Sequence, residues 1–248
     1  MYLESAFACG MFDGDLGADL RARLAGRDDE NFLSGITECL TAWFLTRRLG
    51  LAVTPRPAGK ECSILEFAIG APDGDILVEV KAPRRPVARA IAGGPIEDVD
   101  IIRRVIRQAN RQFKVGRRNL LVIVPKLITF LFPLYEFLRR DIALRALIGE
   151  STIRVPIDPG TGGPAGAPTG GFRYSGELSK RKTGGKERRF TRVSGVLFLL
   201  EHLQPTEIKH VAMLIHNPFA AQALPGGLWT GIDDEFVGQD GRWSWRKS

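Results

Sequence analysis

The most constraining feature of this sequence is a pair of apolar segments, each carrying a glutamate, that flank a turn-rich GAPDGD. They occupy residues 62–83, with the sequence CSILEFAIGAPDGDILVEVKAP. A β-hairpin centred on the Pro-Asp pair of that turn places Glu66 opposite Glu79, because both lie equally far from the centre. Side chains two residues apart on a strand share a face, so Glu66, Glu79 and Lys81 project together. The opposite face is apolar and consists of Leu65, Phe67, Ile69, Val78 and Val80.

Two carboxylates buried side by side repel each other and raise each other's pKa unless a positive charge lies between them. A divalent cation supplies that charge, and oxygen ligands suit Mg²⁺ or Mn²⁺, which also bind substrate phosphates. Lys81 then lies beside the metal, where an ammonium group can orient an attacking water or neutralise charge on a phosphate. The hairpin therefore predicts a site for metal-dependent phosphate chemistry.

The same charges also have a purely structural interpretation. An E-x-K triplet on an amphipathic strand is common, and a solvated face with a cross-strand Glu/Lys arrangement contributes little to stability. The mirror placement of Glu66 and the elements on either side of the hairpin favour the metal site.

Helical patterns precede and follow the hairpin. Before it, acids at 28–30 supply the cap and first turn, apolar residues recur every three or four positions, and Gly50 ends the helix. After it, residues 96–113 carry an apolar stripe and an opposite face rich in arginine. Residues 119–125, NLLVIVP, are nearly all apolar and predict a strand buried on both faces. The predicted order is helix, hairpin, helix and strand.

An acid, a loop and then Glu79-Val80-Lys81 at the end of an apolar strand resemble the core of the PD-(D/E)XK nuclease superfamily, which includes many restriction enzymes and junction resolvases. The resemblance covers about residues 28–125. In that family the first acid and the glutamate of E-x-K bind the metal, and the lysine assists phosphodiester hydrolysis. The resemblance implies that Glu66, Glu79 and the carbonyl of Val80 bind Mg²⁺ or Mn²⁺. It also implies that Lys81 positions or activates the attacking water.

The sequence departs from the commonest family pattern at the first acid, where it has Glu66 rather than an aspartate. Asp73 is the alternative for this ligand, although a carboxylate in the turn points into solvent. We choose Glu66.

The resemblance implies two accessory residues as well. For the acid in the helix before the hairpin we choose Glu30, with Glu38 second, while a first-turn interaction with the helix dipole is the structural alternative for Glu30. A glutamine of the second helix is an accessory residue in related branches of the family. Gln112 matches that position better than Gln108, and a merely solvated glutamine is the alternative.

Composition limits the class of protein and of partner. A chain of 248 residues with 44% hydrophobic content fits one domain, residues 1–248, with a packed core. The net charge of +7 favours a polyanionic partner. Three cysteines without metal-ligand spacing indicate a reducing cytoplasm. The sequence has no secretory signal and no apolar run of membrane-spanning length, so we expect a cytoplasmic protein with no membrane association.

The C-terminal part predicts additions to this core. A helical pattern covers residues 126–149, and residues 157–190 are a Gly-rich, basic and flexible insertion, too permissive for a fixed core segment. Apolar runs at 193–200 and 211–216 predict strands that extend the same sheet. His216, at the end of the second run, is expected to be structural rather than a general base.

We therefore predict one α/β domain, with a central mixed β-sheet flanked by helices, a restriction endonuclease-like core and extra C-terminal strands. The predicted function is that of a Mg²⁺-dependent nuclease, and the resemblance implies DNA rather than RNA as its substrate. The alternative is a catalytically inactive nucleic-acid-binding or assembly subunit with a nuclease-like fold. As assemblies we consider a homodimer or a larger complex that serves defence or repair.

Overall fold

The computed structural model describes residues 1–55, 65–83, 98–124, 140–167, 169–181, 184–185, 187–188, 190–203, 208–239 and 242–247. In these residues the chain is an α/β protein with five α-helices, an eight-stranded mixed sheet and a second sheet of two strands. The predicted α/β class and mixed sheet are confirmed.

The helices are α1 (Tyr2–Ala8), α2 (Gly14–Ala25), α3 (Asp29–Trp43), α4 (Asp98–Gln112) and α5 (Arg140–Leu147), and a π-helical turn (Phe44–Arg48) extends α3. The large sheet contains β1 (Val53–Pro55), β2 (Phe67–Ile69), β3 (Ile76–Lys81), β4 (Arg118–Ile123), β7 (Gly195–Leu203), β8 (Ile208–His216), β9 (Asp234–Gln239) and β10 (Arg242–Arg246). The small sheet pairs β5 (Glu150–Arg154) with β6 (Thr169–Arg173).

Helix α3 and its extension begin and end at the predicted signals. Asp28 is the N-cap and accepts a hydrogen bond from the backbone N–H of Glu30 at 2.8 Å. This bond satisfies one of the N–H groups that the first turn of a helix leaves unpaired. After the π-helical turn, Gly50 has a left-handed φ of 65°, which glycine adopts without steric cost. The predicted helix before the hairpin is confirmed.

The hairpin of β2 and β3 has the predicted register. Phe67 pairs with Val78, and the antiparallel pairing continues from there to the turn. One residue further from the turn, the same register places Glu66 opposite Glu79. Gly74 in the turn has a φ of 102°, a backbone conformation that favours glycine.

The large sheet has the strand order β1-β2-β3-β4-β7-β8-β9-β10. Strands β3, β4 and β7 are parallel at its centre, whereas β2–β3 and β7–β8 are antiparallel pairs. A parallel pair needs a long connection, and the segment from β3 to β4 includes α4. Strands β7 and β8 confirm the predicted extension of the sheet, while β9 and β10 lie beyond any strand that the sequence predicted.

The large sheet separates two hydrophobic layers, and alternate residues of β3 contribute to each. Phe67 and Val80 pack in the layer of α3, whereas Leu77 packs in the layer of α4 and α5. The prediction that Leu65 shares a face with Phe67 is wrong, because Leu65 packs in the layer of α4. Strand β2 begins at Phe67 and the chain bends at Glu66, so the alternation of the strand does not extend to Leu65.

The Gly-rich insertion is more structured than predicted. Strand β6 lies within it, and a buried 3₁₀ turn follows at Glu177–Ser179. Leu178 is fully buried in the layer of α4 and α5. The expectation of no fixed core segment is therefore wrong for this turn, since one large apolar side chain anchors it despite the permissive composition around it. The flexibility of the rest stays a prediction.

The predicted helix at 126–149 is described only in part. Helix α5 covers its C-terminal section, and residues 125–139 lie outside the described residues. Within the described ranges, no helix is both long enough and apolar enough to cross a membrane.

Replacing Leu178 with Ala should lower the free energy of unfolding by about 2–5 kcal/mol, because truncation leaves a cavity at a fully buried position. Ile157, in the same insertion, is exposed. Ile157→Ala is therefore the matched control, with an expected change within about 0.5 kcal/mol. Urea unfolding measures both values, and equally small losses would show that the insertion is not anchored in the core.

Candidate metal centre

Glu66 completes the hydrogen bonding of β3 where β2 is absent. Strand β2 begins at Phe67, opposite Val78, so no residue of β2 stands opposite Val80. The backbone N–H of Val80 donates instead to Oε2 of Glu66 at 2.9 Å. A buried N–H without a partner in the sheet is costly, and the carboxyl group satisfies it. This bond holds the Glu66 side chain against β3.

The carbonyl oxygen of Val80 faces the same gap as the Glu66 side chain. In an extended strand, the N–H and C=O groups of one residue point to the same side, and those of the next residue point to the opposite side. Consistent with this alternation, the carbonyl of Lys81 accepts a hydrogen bond from the N–H of Val124, at the end of β4, at 2.9 Å. The Val80 oxygen and the Glu66 carboxyl group therefore lie together, as ligands of one cation must.

Glu79 is the buried member of the E-x-K triplet. Its side chain is inaccessible to solvent, and its Oε1 pairs with the ammonium group of Lys81, which is 25% exposed. Its Oε2 is buried, and no N–H or hydroxyl group donates to it in the part of the chain that the structure describes. Burial removes water from this oxygen without supplying a replacement, which costs free energy. Oε2 of Glu79 is thus an available ligand atom inside the protein.

The two carboxyl groups are electrostatically coupled. Burial raises the pKa of Glu66 well above its ordinary value, and the charge of Glu79 and a hydrogen bond to Glu79 raise it further. The hydrogen bond from the Val80 N–H acts in the opposite direction. Two carboxyl groups at one site favour a single proton between them, because two adjacent anions repel. Glu66 therefore keeps its proton to a higher pH than an ordinary glutamate.

Glu38, rather than Glu30, is the acid of α3 that acts on this pair. Glu38 is buried, its charge raises the pKa of Glu66, and Arg23 of α2 binds both of its oxygens at 2.7 and 3.1 Å. Glu30 is exposed in the first turn of α3. Two turns of helix, roughly 12 Å, separate it from Glu38. The structure thus brings Glu38, the second of the two predicted helix acids, to the carboxyl pair. A role for Glu30 stays a prediction.

Gln112 and Asp73 lie towards the other end of β3. Helix α4 ends at Gln112, and the chain then enters β4, whose first residue pairs with Ile76 at the start of β3. Asp73 is exposed in the turn and lies 3.6 Å from Arg118 in an ion pair. The structure therefore does not bring either residue to the carboxyl pair, and the accessory role of Gln112 stays a prediction.

The residues at the start of β2 and the carboxyl end of β3 fit a hard divalent cation. Two carboxyl groups and a carbonyl oxygen are the ligand types of Mg²⁺ and Mn²⁺, which keep several waters. A cation would relieve both the repulsion within the pair and the unpaired state of Glu79 Oε2. Among the described residues, no group of three or more His, Cys, Asp or Glu side chains could hold a metal ion. The cation would therefore depend on Glu66, Glu79, the Val80 carbonyl, water and a substrate phosphate.

His216, the last residue of β8, lies in an ion-paired cluster with Glu235 and Arg246. Its Nε2 lies 2.7 Å from Oε1 of Glu235, and Nε of Arg246 donates to the other oxygen at 2.7 Å. Burial alone would raise the pKa of Glu235, but these two partners lower it below its ordinary value. The arrangement agrees with the structural role predicted for His216.

Arg23 is the residue near the site that the sequence did not reveal. It lies on α2, and its partner Glu38 lies on α3, so no periodic spacing within one element connects them. The Gly26-containing junction between the two helices gives no chemical signal of this contact either.

No family model, curated protein or solved structure matches this chain. Its function must therefore be argued from the geometry and electrostatics of the site.

In EDTA, the free energy of unfolding should fall as pH rises above about 4.3, the ordinary pKa of glutamate, until the pH exceeds the raised pKa of Glu66. Across that window the folded protein keeps a proton that the unfolded chain has released. The loss can reach about 1.4 kcal/mol per pH unit. Glu66→Gln should remove this contribution, whereas Glu30→Gln, at an exposed position, should keep it. Urea unfolding at several pH values measures the slopes, and equal slopes in wild type and Glu66→Gln would contradict the coupling.

Proposed function

We propose that this chain is a metal-dependent nuclease of the PD-(D/E)XK type that hydrolyses phosphodiester bonds, with DNA as the expected substrate. The observation that carries the proposal is the contact between Glu66 and Glu79 at the start of β2, beside Lys81 and the carbonyl of Val80. Burying two carboxyl groups together is unfavourable for stability alone. A buried carboxyl group with a strongly raised pKa, such as that of Glu66, is characteristic of functional sites.

Each residue of the site has a defined role under this proposal. Glu66, Glu79 and the carbonyl of Val80 would hold Mg²⁺ or Mn²⁺. When bound, such a cation stabilises charge on a phosphate and lowers the pKa of water. Lys81 contacts Glu79 and is partly exposed, so its ammonium group can orient the attacking water or neutralise charge on the phosphate. The pairing with Glu79 also keeps Lys81 at the site before substrate binds.

The order of the elements supports the proposal. Helix α3, the β2–β3 hairpin, α4 and β4 follow one another as in the superfamily core, and β3 and β4 are parallel. Glu79 and Lys81 lie at the carboxyl end of β3. Ligands of open α/β sheets characteristically bind outside the carboxyl ends of the parallel strands.

The outer face of α4 supports a polyanionic substrate. The helix buries an apolar stripe that includes Ile102 and Ile106, and it exposes Arg104 and Arg111. Arg107 is exposed on the same helix but pairs with Glu177 at 2.9 Å. Arginines on one face of a helix attract the phosphates of a nucleic-acid backbone. The net charge of +7 over the whole chain also favours a polyanionic substrate.

A catalytically inactive nucleic-acid-binding or assembly subunit is the second candidate. The pairing of Glu79 with Lys81 and the raised pKa of Glu66, which favours its neutral form, lessen the repulsion at this site without a metal ion. That observation favours a site that has lost its metal but kept its geometry. Such a subunit would bind nucleic acid equally well in Mg²⁺ and in EDTA.

With Mg²⁺ or Mn²⁺ and not with EDTA, wild-type protein should cleave linear, circular or single-stranded DNA. Glu79→Gln and Lys81→Met should each reduce the rate by at least about 100-fold, because the first removes a proposed metal ligand and the second removes the ammonium group at the reacting phosphate. Asp73→Asn is the matched control, since it neutralises an exposed carboxylate of the same hairpin. It should cleave at the wild-type rate.

Gel assays of the cleavage products give these rates, and circular DNA distinguishes endonuclease from exonuclease action. Wild-type cleavage by Glu79→Gln would exclude the proposed site, and loss of activity in Asp73→Asn would make Asp73 the first acid. Metal-independent binding of DNA and RNA, without cleavage of either, would establish the inactive subunit instead.

A further inference from the structure

A second site lies at the opposite end of the central strands from the carboxyl pair. A cavity of about 520 Å³ opens where the chain enters β4. The first residue of β4 pairs with Ile76, and Glu79 and Lys81 lie three and five residues further along β3. At the rise of an extended strand, the separation is roughly 10–17 Å. The described lining residues are Val115, Gly116, Arg117, Glu187, Arg188, Thr191, Arg192 and Ala221.

The cavity has an excess of positive charge. Three of its lining residues are arginines, and Glu187 is the one carboxylate among the described lining residues. Arg117 and Arg192 form no ion pair with any residue in the described ranges. Three arginines against one carboxylate leave the described lining with an excess of positive charge, which a bound anion would offset.

A buried asparagine holds two of these arginines next to each other. Asn119 is inaccessible to solvent, and its Nδ2 donates to the carbonyls of Arg117 and Arg192, each at 2.9 Å. The backbone N–H of Asn119 donates to Ser194 Oγ at 3.0 Å, and the N–H of Ser194 donates to the Asn119 carbonyl at 2.7 Å. The fold thus fixes the backbone at both arginines beside the cavity.

The third arginine is fixed through its side chain. The guanidinium group of Arg188 lies over the ring of Phe219, 4.3 Å from its centroid, and its Nη1 donates to the carbonyl of Ser179. Burial lowers the pKa of Arg188, and the charge of Arg181, its partner in a β-bridge, lowers it further. Fixed guanidinium groups bind phosphate with little loss of side-chain entropy. Tyr174 meets Phe219 edge to face and offers a half-exposed aromatic ring beside this arginine.

We propose that this cavity binds a small phosphorylated ligand of nucleotide size, through Arg117, Arg188 and Arg192. Its volume falls in the range of about 300–1,000 Å³ that small-molecule sites occupy. The planar fork of arginine matches the oxygens of a phosphate. Arg188 and Arg192 are half-buried, which suits a compact ligand better than the backbone of a duplex. The inference does not depend on the nuclease proposal, because the two sites share no residue.

Isothermal titration calorimetry without divalent metal tests the site, with inorganic pyrophosphate and ADP as the two probes. Wild-type protein should bind one equivalent of at least one probe. Arg188→Gln and Arg192→Gln should each weaken that binding about tenfold or more, since each removes a charge-assisted contact. Glu187→Gln should tighten it, because the substitution removes a negative charge from the lining. Arg27→Gln, an equal change of charge at an exposed site in the loop before α3, should bind as wild type does.

Glu79→Gln should also bind the probes as wild type does, which separates this site from the carboxyl pair. Failure of both probes to saturate at millimolar concentration would overturn the proposal. Equal weakening by Arg192→Gln and Arg27→Gln would also overturn it, because it would show attraction to net charge alone. Binding of a DNA oligonucleotide that needs Arg188 and Arg192, without binding of either small probe, would make the cavity a nucleic-acid contact instead.

Discussion

The repulsion between Glu66 and Glu79 is the constraint on which this site depends. It is imposed by the register of the hairpin, which brings the two carboxyl groups together where β2 is absent. The fold offsets part of the cost with the Val80 N–H, the Lys81 ammonium group and a proton on Glu66. A divalent cation could replace that proton and bind the buried Oε2 of Glu79. The arrangement therefore favours metal binding, and it also tolerates the absence of the metal.

The two ends of the central parallel strands have opposite chemical character. Carboxyl groups and a backbone carbonyl lie at the carboxyl end of β3, whereas arginines surround the beginning of β4. At one end the protein holds buried oxygen ligands that suit a cation, and at the other it holds excess positive charge that suits a phosphate. Backbone groups hold the Glu66 carboxyl group at one end and the Arg188 guanidinium group at the other, so the fold provides part of the preorganisation that binding requires.

The hairpin could be predicted closely because its register depends on local symmetry: the distance of Glu66 and of Glu79 from one turn determines their pairing. The same holds for α3, whose capping residue and terminal glycine are both local signals. Contacts between distant segments could not be predicted in this way. Arg23 reaches Glu38 from another helix, and Leu178 joins the core from a Gly-rich segment. Asn119 joins backbone carbonyls on either side of the cavity, which only the tertiary fold brings together.

The most direct test of the central claim is an NMR titration of the ¹³C-labelled glutamate carboxyl groups, first in EDTA and then in excess Mg²⁺. In EDTA, the Glu66 resonance should titrate well above the ordinary range of glutamate. With Mg²⁺, the Glu66 titration should move to lower pH, because the cation competes with the proton for the same oxygens. An ordinary titration of Glu66 in EDTA, or one that Mg²⁺ does not change, would contradict the account of a coupled, metal-binding carboxyl pair.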